Sequence, residues 1–257
     1  MLEVPRELVL EPSQRGPLRV YPIESARELG VDAFVTSRAG GVSEAPYDSL
    51  NLGNHVGDRD EHVATNRRRV ARALGVGPGR LVFVRQVHGA GVLEVTGPVE
   101  HAEADALVSS SFDLALGVLV ADCVPVLLVD ARSSRFGVAH AGWRGLRAGV
   151  LTNALEHFER VDTLHAFIGP SISVRQYQVG PEVADLFRDV DGAVLADRGD
   201  RSRLDLGRVV VAQLGAAGLG EERISETHQS TDGGGVFFSD RAARPCGRFA
   251  LVAKRAS

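Results

Sequence analysis

The chain has 257 residues, 44% of them hydrophobic, which suits one large domain or two small ones with a sizeable core. A formal net charge of −4 argues against a general nucleic-acid binder, and no apolar run approaches the ~20 residues of a membrane span. Two cysteines, Cys123 and Cys246, exclude a disulfide framework, and no export signal opens the chain, so a reduced, cytoplasmic protein is expected.

Residues 1–19 read as a polar, proline-containing lead-in with a strand at its end. A short strand follows over 32–37, then Arg38-Ala39-Gly40-Gly41, where paired glycines allow positive φ or close approach to a ligand. Residues 46–58 form a long polar loop. Asp58 has the look of an N-cap, with Glu61 completing a capping box. Val63, Val70 and Leu74 then share one helix face, Gly75 supplies the stop, and Arg67, Arg68, Arg69 and Arg72 make a solvated opposite face. Strands are expected over 81–87, 114–121, 124–129 and 135–140, the middle two apolar enough to be buried on both faces. Helices are expected after Gly145, with Leu151, Leu155 and Phe158 inward, and over 181–190 and 206–217; a strand over 248–253 closes the chain. Asp105-Ala106-Leu107-Val108 resembles Asp32-Ala33-Phe34-Val35, but no repeat follows from four residues. No linker divides the chain, and intermixed helices and strands favour a single mixed domain.

Three residues carry the chemistry: His88 in Gln86-Val87-His88-Gly89, Cys123 in Ala121-Asp122-Cys123-Val124-Pro125, and His140 in His140-Ala141-Gly142-Trp143-Arg144-Gly145. Each stands at a strand end or tight turn. Two imidazoles and a thiolate suit zinc, and three protein ligands leave a coordination position open, as catalytic sites do. They are far apart in the chain, so only tertiary folding can bring them together. A buried cysteine and a turn histidine are also ordinary structural residues. Equally, Cys123 could be a nucleophile with His140 as its base. Copper oxidation is disfavoured, because no His-X-His pair occurs and the only methionine is Met1.

Further candidates surround these three. Asp122 could orient a ligand or move protons. Arg38, beside the glycine pair, and Arg144, near a helix N-terminus, could hold an anion. Lys254 is the only lysine, however, so arginine is this chain's default cation and says less than usual about phosphate. Ser49, Asn51 and His55 in the polar loop, and Gln86 next to the metal-ligand turn, are candidate substrate contacts.

The motifs Arg38-Ala39-Gly40-Gly41-Val42-Ser43, Ser49-Leu50-Asn51-Leu52-Gly53, His55-Val56-Gly57-Asp58, Gln86-Val87-His88-Gly89, Ala121-Asp122-Cys123-Val124-Pro125, His140-Ala141-Gly142-Trp143-Arg144-Gly145, Ile168-Gly169-Pro170-Ser171-Ile172 and Phe237-Phe238-Ser239 occur together, and in this order resemble the YfiH or laccase-domain family. That resemblance implies an α/β/β/α sandwich of mixed sheets flanked by helices, in one domain spanning the chain. It implies zinc on His88, Cys123 and His140, with copper as an alternative occupant in vitro. It also implies phosphorolysis of adenosine, inosine and methylthioadenosine, with adenosine deamination as a second reaction. The family is also compared with cysteine hydrolases, including cell-wall precursor editing. The chain departs from the family near its end. Glu226-Thr227-His228-Gln229-Ser230-Thr231 lacks the family's cysteine, Ala242 replaces an arginine, and Cys246 stands where a threonine is expected. The role of this segment in the pocket is left open, with His228 as a candidate metal-proximal substitute.

Overall fold

The computed structural model describes residues 5–99, 101–233 and 235–256. Two sheets lie face to face. The six-stranded sheet runs Ser13–Arg15, Leu18–Pro22, Val31–Thr36, Phe249–Arg255, Ala115–Val120, Leu81–Val82, antiparallel except for its last pair. The seven-stranded sheet runs Arg6–Glu7, Ile224–Glu226, Leu164–Ile168, Val124–Asp130, Phe136–Ala141, Ala106–Ser109, Val92–Glu94, antiparallel in its middle and parallel at both ends. A small sheet, Gln178–Val179, Ser202–Leu204 and Val194–Ala196, stands apart.

Alternation along the strands assigns each face. Val31, Val35, Leu116, Val118 and Leu251 meet Leu127, Val129, Phe136 and Val138 of the other sheet. Their intervening neighbours point outward. Val124, Val126, Leu128 and Ala139 are covered by helices Trp143–Ala148, Val150–Leu155 and Leu206–Ala216, through Leu146, Leu151, Val210 and Leu214. Ala115, Leu119, Ala250 and Val252 are covered by helix Asp60–Ala73 and by Leu50 and Leu52 of the polar loop. The result is the α/β/β/α sandwich. Truncating a fully buried residue between the sheets, such as Leu127, costs about 2–5 kcal/mol.

Several expectations shift. The lead-in holds strands of both sheets. The strand expected over 81–87 pairs regularly only at Leu81–Val82, after which the chain turns toward His88. Asp58 does not cap the helix, which starts at Asp60 with Arg59 at the N-cap. Its carboxylate instead accepts from Ser43 Oγ (2.6 Å), Asn51 Nδ2 (2.9 Å) and Arg59 N (2.8 Å), tying the loop to itself. The arginine face is only partly solvated: Arg68 and Arg72 are exposed, but Arg69 donates to Gly40 O (2.6 Å) and Arg67 to Leu52 O (2.9 Å). The helix after Gly145 is two short ones, and the 181–190 helix is α only over Pro181–Ala184.

Candidate metal centre and its pocket

Tertiary folding brings His88, Cys123 and His140 together. Their ligand atoms all lie within 4.8 Å of one another, and Cys123 Sγ is 4.0 Å from His88 Nε2. The two imidazoles meet edge to face, centroids 4.7 Å apart. His140 is buried at the end of strand Phe136–Ala141, Cys123 is partly buried just before Val124–Asp130, and His88 is exposed at a turn with φ 58°. Strands Val124–Asp130 and Phe136–Ala141 are paired neighbours, which fixes two of the three ligands on one rigid frame.

Asp105 organises the centre, and composition and spacing did not single it out. Fully buried just before strand Ala106–Ser109, it accepts from the backbone N–H groups of Val87 (3.2 Å), His88 (3.0 Å) and Gly89 (2.7 Å). Its Oδ1 also lies 2.9 Å from His140 Nδ1. One carboxylate thus holds the His88 turn and turns Nε2 of His140 toward the centre, the carboxylate–histidine pairing common behind metal ligands. Burial alone would raise its pKa; the His140 bond and the N–H groups hold it below the usual carboxylate range. Burial likewise works against ionisation of Cys123, but His140 and His88 outweigh it and pull the thiol well down, while the thiolate and Asp105 push His140 up. A cysteine binds metal as its thiolate, and this site favours that form of Cys123. Gly142 completes the geometry: a Cβ there would come 2.9 Å from Cys123 Sγ and 3.2 Å from His88 Cδ2.

The centre faces a cavity of about 360 Å³. His55, Gln86, Asp122, Trp143, Arg144 and Tyr177 line it, as do Asp240, Arg241, Arg244 and Arg248. Gln86 is held by the Leu119 backbone at both ends of its amide (2.8 and 2.7 Å). Arg144 lies over the Trp143 ring at 4.2 Å and, among the described residues, has no carboxylate partner. Asp122, at φ 90°, has both oxygens engaged: Oδ1 accepts from Thr231 Oγ1 (2.6 Å) and Ser239 Oγ (2.7 Å), and Oδ2 from Arg241 N (2.7 Å). It therefore ties the C-terminal segment to the metal-ligand loop. Arg241 donates to Gln176 O and Gln178 O (3.2 Å each) and lies over Tyr177; Asp240 binds Arg244 (2.6 Å) and Arg248 (3.2 Å).

Three expected site residues are not brought to this cavity. Arg38 is taken by Asp48 (Nε to the carbonyl, 2.8 Å; Nη2 to the carboxylate, 3.1 Å) and lies over Phe238. Ser49 and Asn51 hold the polar loop: Ser49 Oγ accepts from Gly41 N, and fully buried Asn51 bonds Gly53, Asp58 and Arg248 N. Gly41 is needed there, since a Cβ would lie 1.9 Å from Ser49 O. His228 is exposed and outside the ligand group. Arg244 and Arg248 carry no signal in the sequence, because arginine is this chain's default cation.

Fold and site together define a two-sheet sandwich with a single three-donor centre among the described residues. The chain belongs to the family described as multi-copper polyphenol oxidoreductase laccase, whose sequence model matches residues 32–256. It is 39% identical over 230 residues to a protein of Escherichia coli (strain K12) named purine nucleoside phosphorylase YfiH, covering 86% of this chain and 92% of that one. A Streptomyces griseus protein named purine nucleoside phosphorylase ORF3 is 41% identical over 229 residues, covering 84% and 90%. Among solved structures, Bacillus licheniformis hypothetical protein YfiH superposes with TM-score 0.88 at 31% identity (95% of this chain, 98% of that one). YlmD from Geobacillus stearothermophilus gives 0.88 at 30% (97% and 99%). No helix among the described residues is long and apolar enough to cross a membrane.

Proposed function

We propose that this chain is a zinc-dependent purine nucleoside phosphorylase acting in the cytoplasm on adenosine, inosine and methylthioadenosine, with adenosine deamination as a second activity. One observation carries the reading: three metal-type donors converge with no fourth His, Cys, Asp or Glu joining them among the described residues, and they face an arginine-lined cavity. The relatives' names supply the reaction class. Two imidazoles, a thiolate and a histidine anchored by a carboxylate fit zinc; copper would be an occupant in vitro. Bound by the three donors, zinc would supply Lewis acidity at the cavity wall.

In phosphorolysis a phosphate oxygen bonds to the anomeric carbon as the bond to purine N9 breaks. The bond's electron pair leaves with the purine, which gains a proton. The chain's share is positioning and charge stabilisation. Arg144 and Arg241 are assigned to phosphate, since neither has a carboxylate partner among the described residues and guanidinium donors match its oxygens. Trp143 and Tyr177 give the purine aromatic walls, and His55 and Gln86 are assigned to the nucleoside. Asp122 is assigned to holding Arg241 in place. The candidate fourth ligand, His228, lies outside the donor group, which speaks against a closed structural site. The cysteine-hydrolase reading makes a separate prediction, that thiol alkylation kills activity in metal-free protein.

Metal-defined protein incubated with adenosine, with and without phosphate, tests the proposal by chromatography of the products. Adenine formed only with phosphate is expected, and inosine without phosphate marks deamination. Adenine at equal rate without phosphate, or full activity in zinc-free protein, would overturn it.

A further inference from the structure

Beside the metal pocket lies a second, larger cavity of about 640 Å³. The two share His55, Gln86 and Leu119, so a ligand at the metal has a neighbouring chamber across that wall. Among the described residues the charges of this chamber do not balance. Arg85 is paired with Glu103 at 2.6 Å. Desolvation of the ring and then the nearby Arg248 and Arg67 cations push the pKa of His55 down, although the residue as a whole is exposed. Arg67 remains. It projects from helix Asp60–Ala73, donates Nε to Leu52 O, lies over the Phe83 ring at 4.9 Å, and meets no carboxylate among the described residues. Burial alone lowers its pKa, to about 10, with no acid contributing. A partly buried guanidinium with no counterion among the described residues is a ready partner for a bound anion.

We infer that the chamber around Arg67 is an oxyanion subsite of the metal pocket, taking a phosphate-class dianion. The dianion is either the 5′ ester of a nucleoside seated at the metal or free phosphate lying beside one. Placing the ester rests on the nucleoside reading above; the anion site itself does not. Planar guanidinium donors recognise such oxygens, and Asn54 lies in the same wall, on the exposed polar loop.

The test is calorimetric titration of metal-loaded protein with inorganic phosphate, adenosine and adenosine 5′-monophosphate. Wild type is compared with Arg67→Gln and with Asn54→Glu. The second variant plants a negative charge in the chamber from an exposed position and leaves the Arg67–Phe83 packing alone, so it decides the matter if Arg67→Gln does not fold. If the ester is the source, the monophosphate binds at least ~10-fold tighter than adenosine and both variants erase that margin. If free phosphate is the source, phosphate affinity falls ~10-fold in both variants and the monophosphate has no advantage over adenosine. Both variants keeping wild-type phosphate affinity and the wild-type monophosphate-to-adenosine ratio would overturn the subsite. Arg67-dependent anion binding without phosphorolysis would sink the enzymatic reading alone. Phosphorolysis with anion binding indifferent to Arg67 would sink the subsite alone.

Discussion

The two walls of the metal pocket are built on opposite principles. On one side, His88, Cys123 and His140 sit at strand ends and turns, and a single buried carboxylate, Asp105, locks two of them. On the other, Arg241, Arg244 and Arg248 ride on an irregular C-terminal segment attached to the first side chiefly through Asp122. The rigid wall must hold atoms to tenths of an ångström, because metal bonds tolerate little error. The looser wall need only present charge, which acts over a longer range. Disturbing one wall should therefore change metal content, and disturbing the other should change substrate affinity.

The sharpest break of that contrast is Cys123→Ala or His140→Ala. Either should abolish stoichiometric zinc, read by atomic emission on dialysed protein, and activity with it, while circular dichroism stays native. Asp105→Asn comes next. The side chain keeps one acceptor oxygen where four donors now converge, so zinc affinity should drop ~10–100-fold in a chelator competition, with a matching fall in rate at limiting metal. Asp122→Ala should do the opposite of both: zinc is retained, and the phosphate KM rises ~10-fold as Arg241 loosens. Asp122→Asn should recover most of the loss, because its oxygen can accept from Arg241 N while its amide donates to the two hydroxyls, which can rotate to accept. An unchanged phosphate KM in the alanine variant would end the idea of a separately tethered wall.

Glu226 gives the smallest and most specific check, as a partly buried carboxylate that lacks the donors Asp105 has. Burial and the nearby Asp205 push its pKa up to about 7, with Arg208 opposing. Its folded value lies above the unfolded one, so between about pH 4.5 and 7 the folded chain keeps a proton that the unfolded chain has lost, and stability falls as pH rises. Glu226→Gln should therefore stabilise at pH 8 by on the order of 2 kcal/mol in urea unfolding, much less at pH 5, and leave activity alone. Equal gains at both pH values would show that the carboxylate is not strained by burial.

Much of this was legible in the chain. The apolar runs at 114–121 and 124–129 announced central strands, and the three donors stood out because each sat against a turn. Asp105 did not, since its four-residue context looked like a chance echo of Asp32-Ala33-Phe34-Val35. Its role comes from three N–H groups some 16–18 residues earlier in the chain. Arg38 and Arg144 looked equivalent in sequence; only the tertiary partners Asp48 and Phe238 take the first away from the pocket. Short edge strands such as Arg6–Glu7 and Val92–Glu94 carry too few residues to show a period.

Strand order has a consequence for synthesis. Phe249–Arg255 lies in the middle of the six-stranded sheet, between Val31–Thr36 and Ala115–Val120, and binds both along their lengths. A nascent chain that has not reached residue 255 therefore carries two apolar ribbons with open hydrogen-bonding edges and nothing between them. Assembly on the ribosome must wait for the late strand to slot in, and until then those ribbons are the natural target of a holding chaperone.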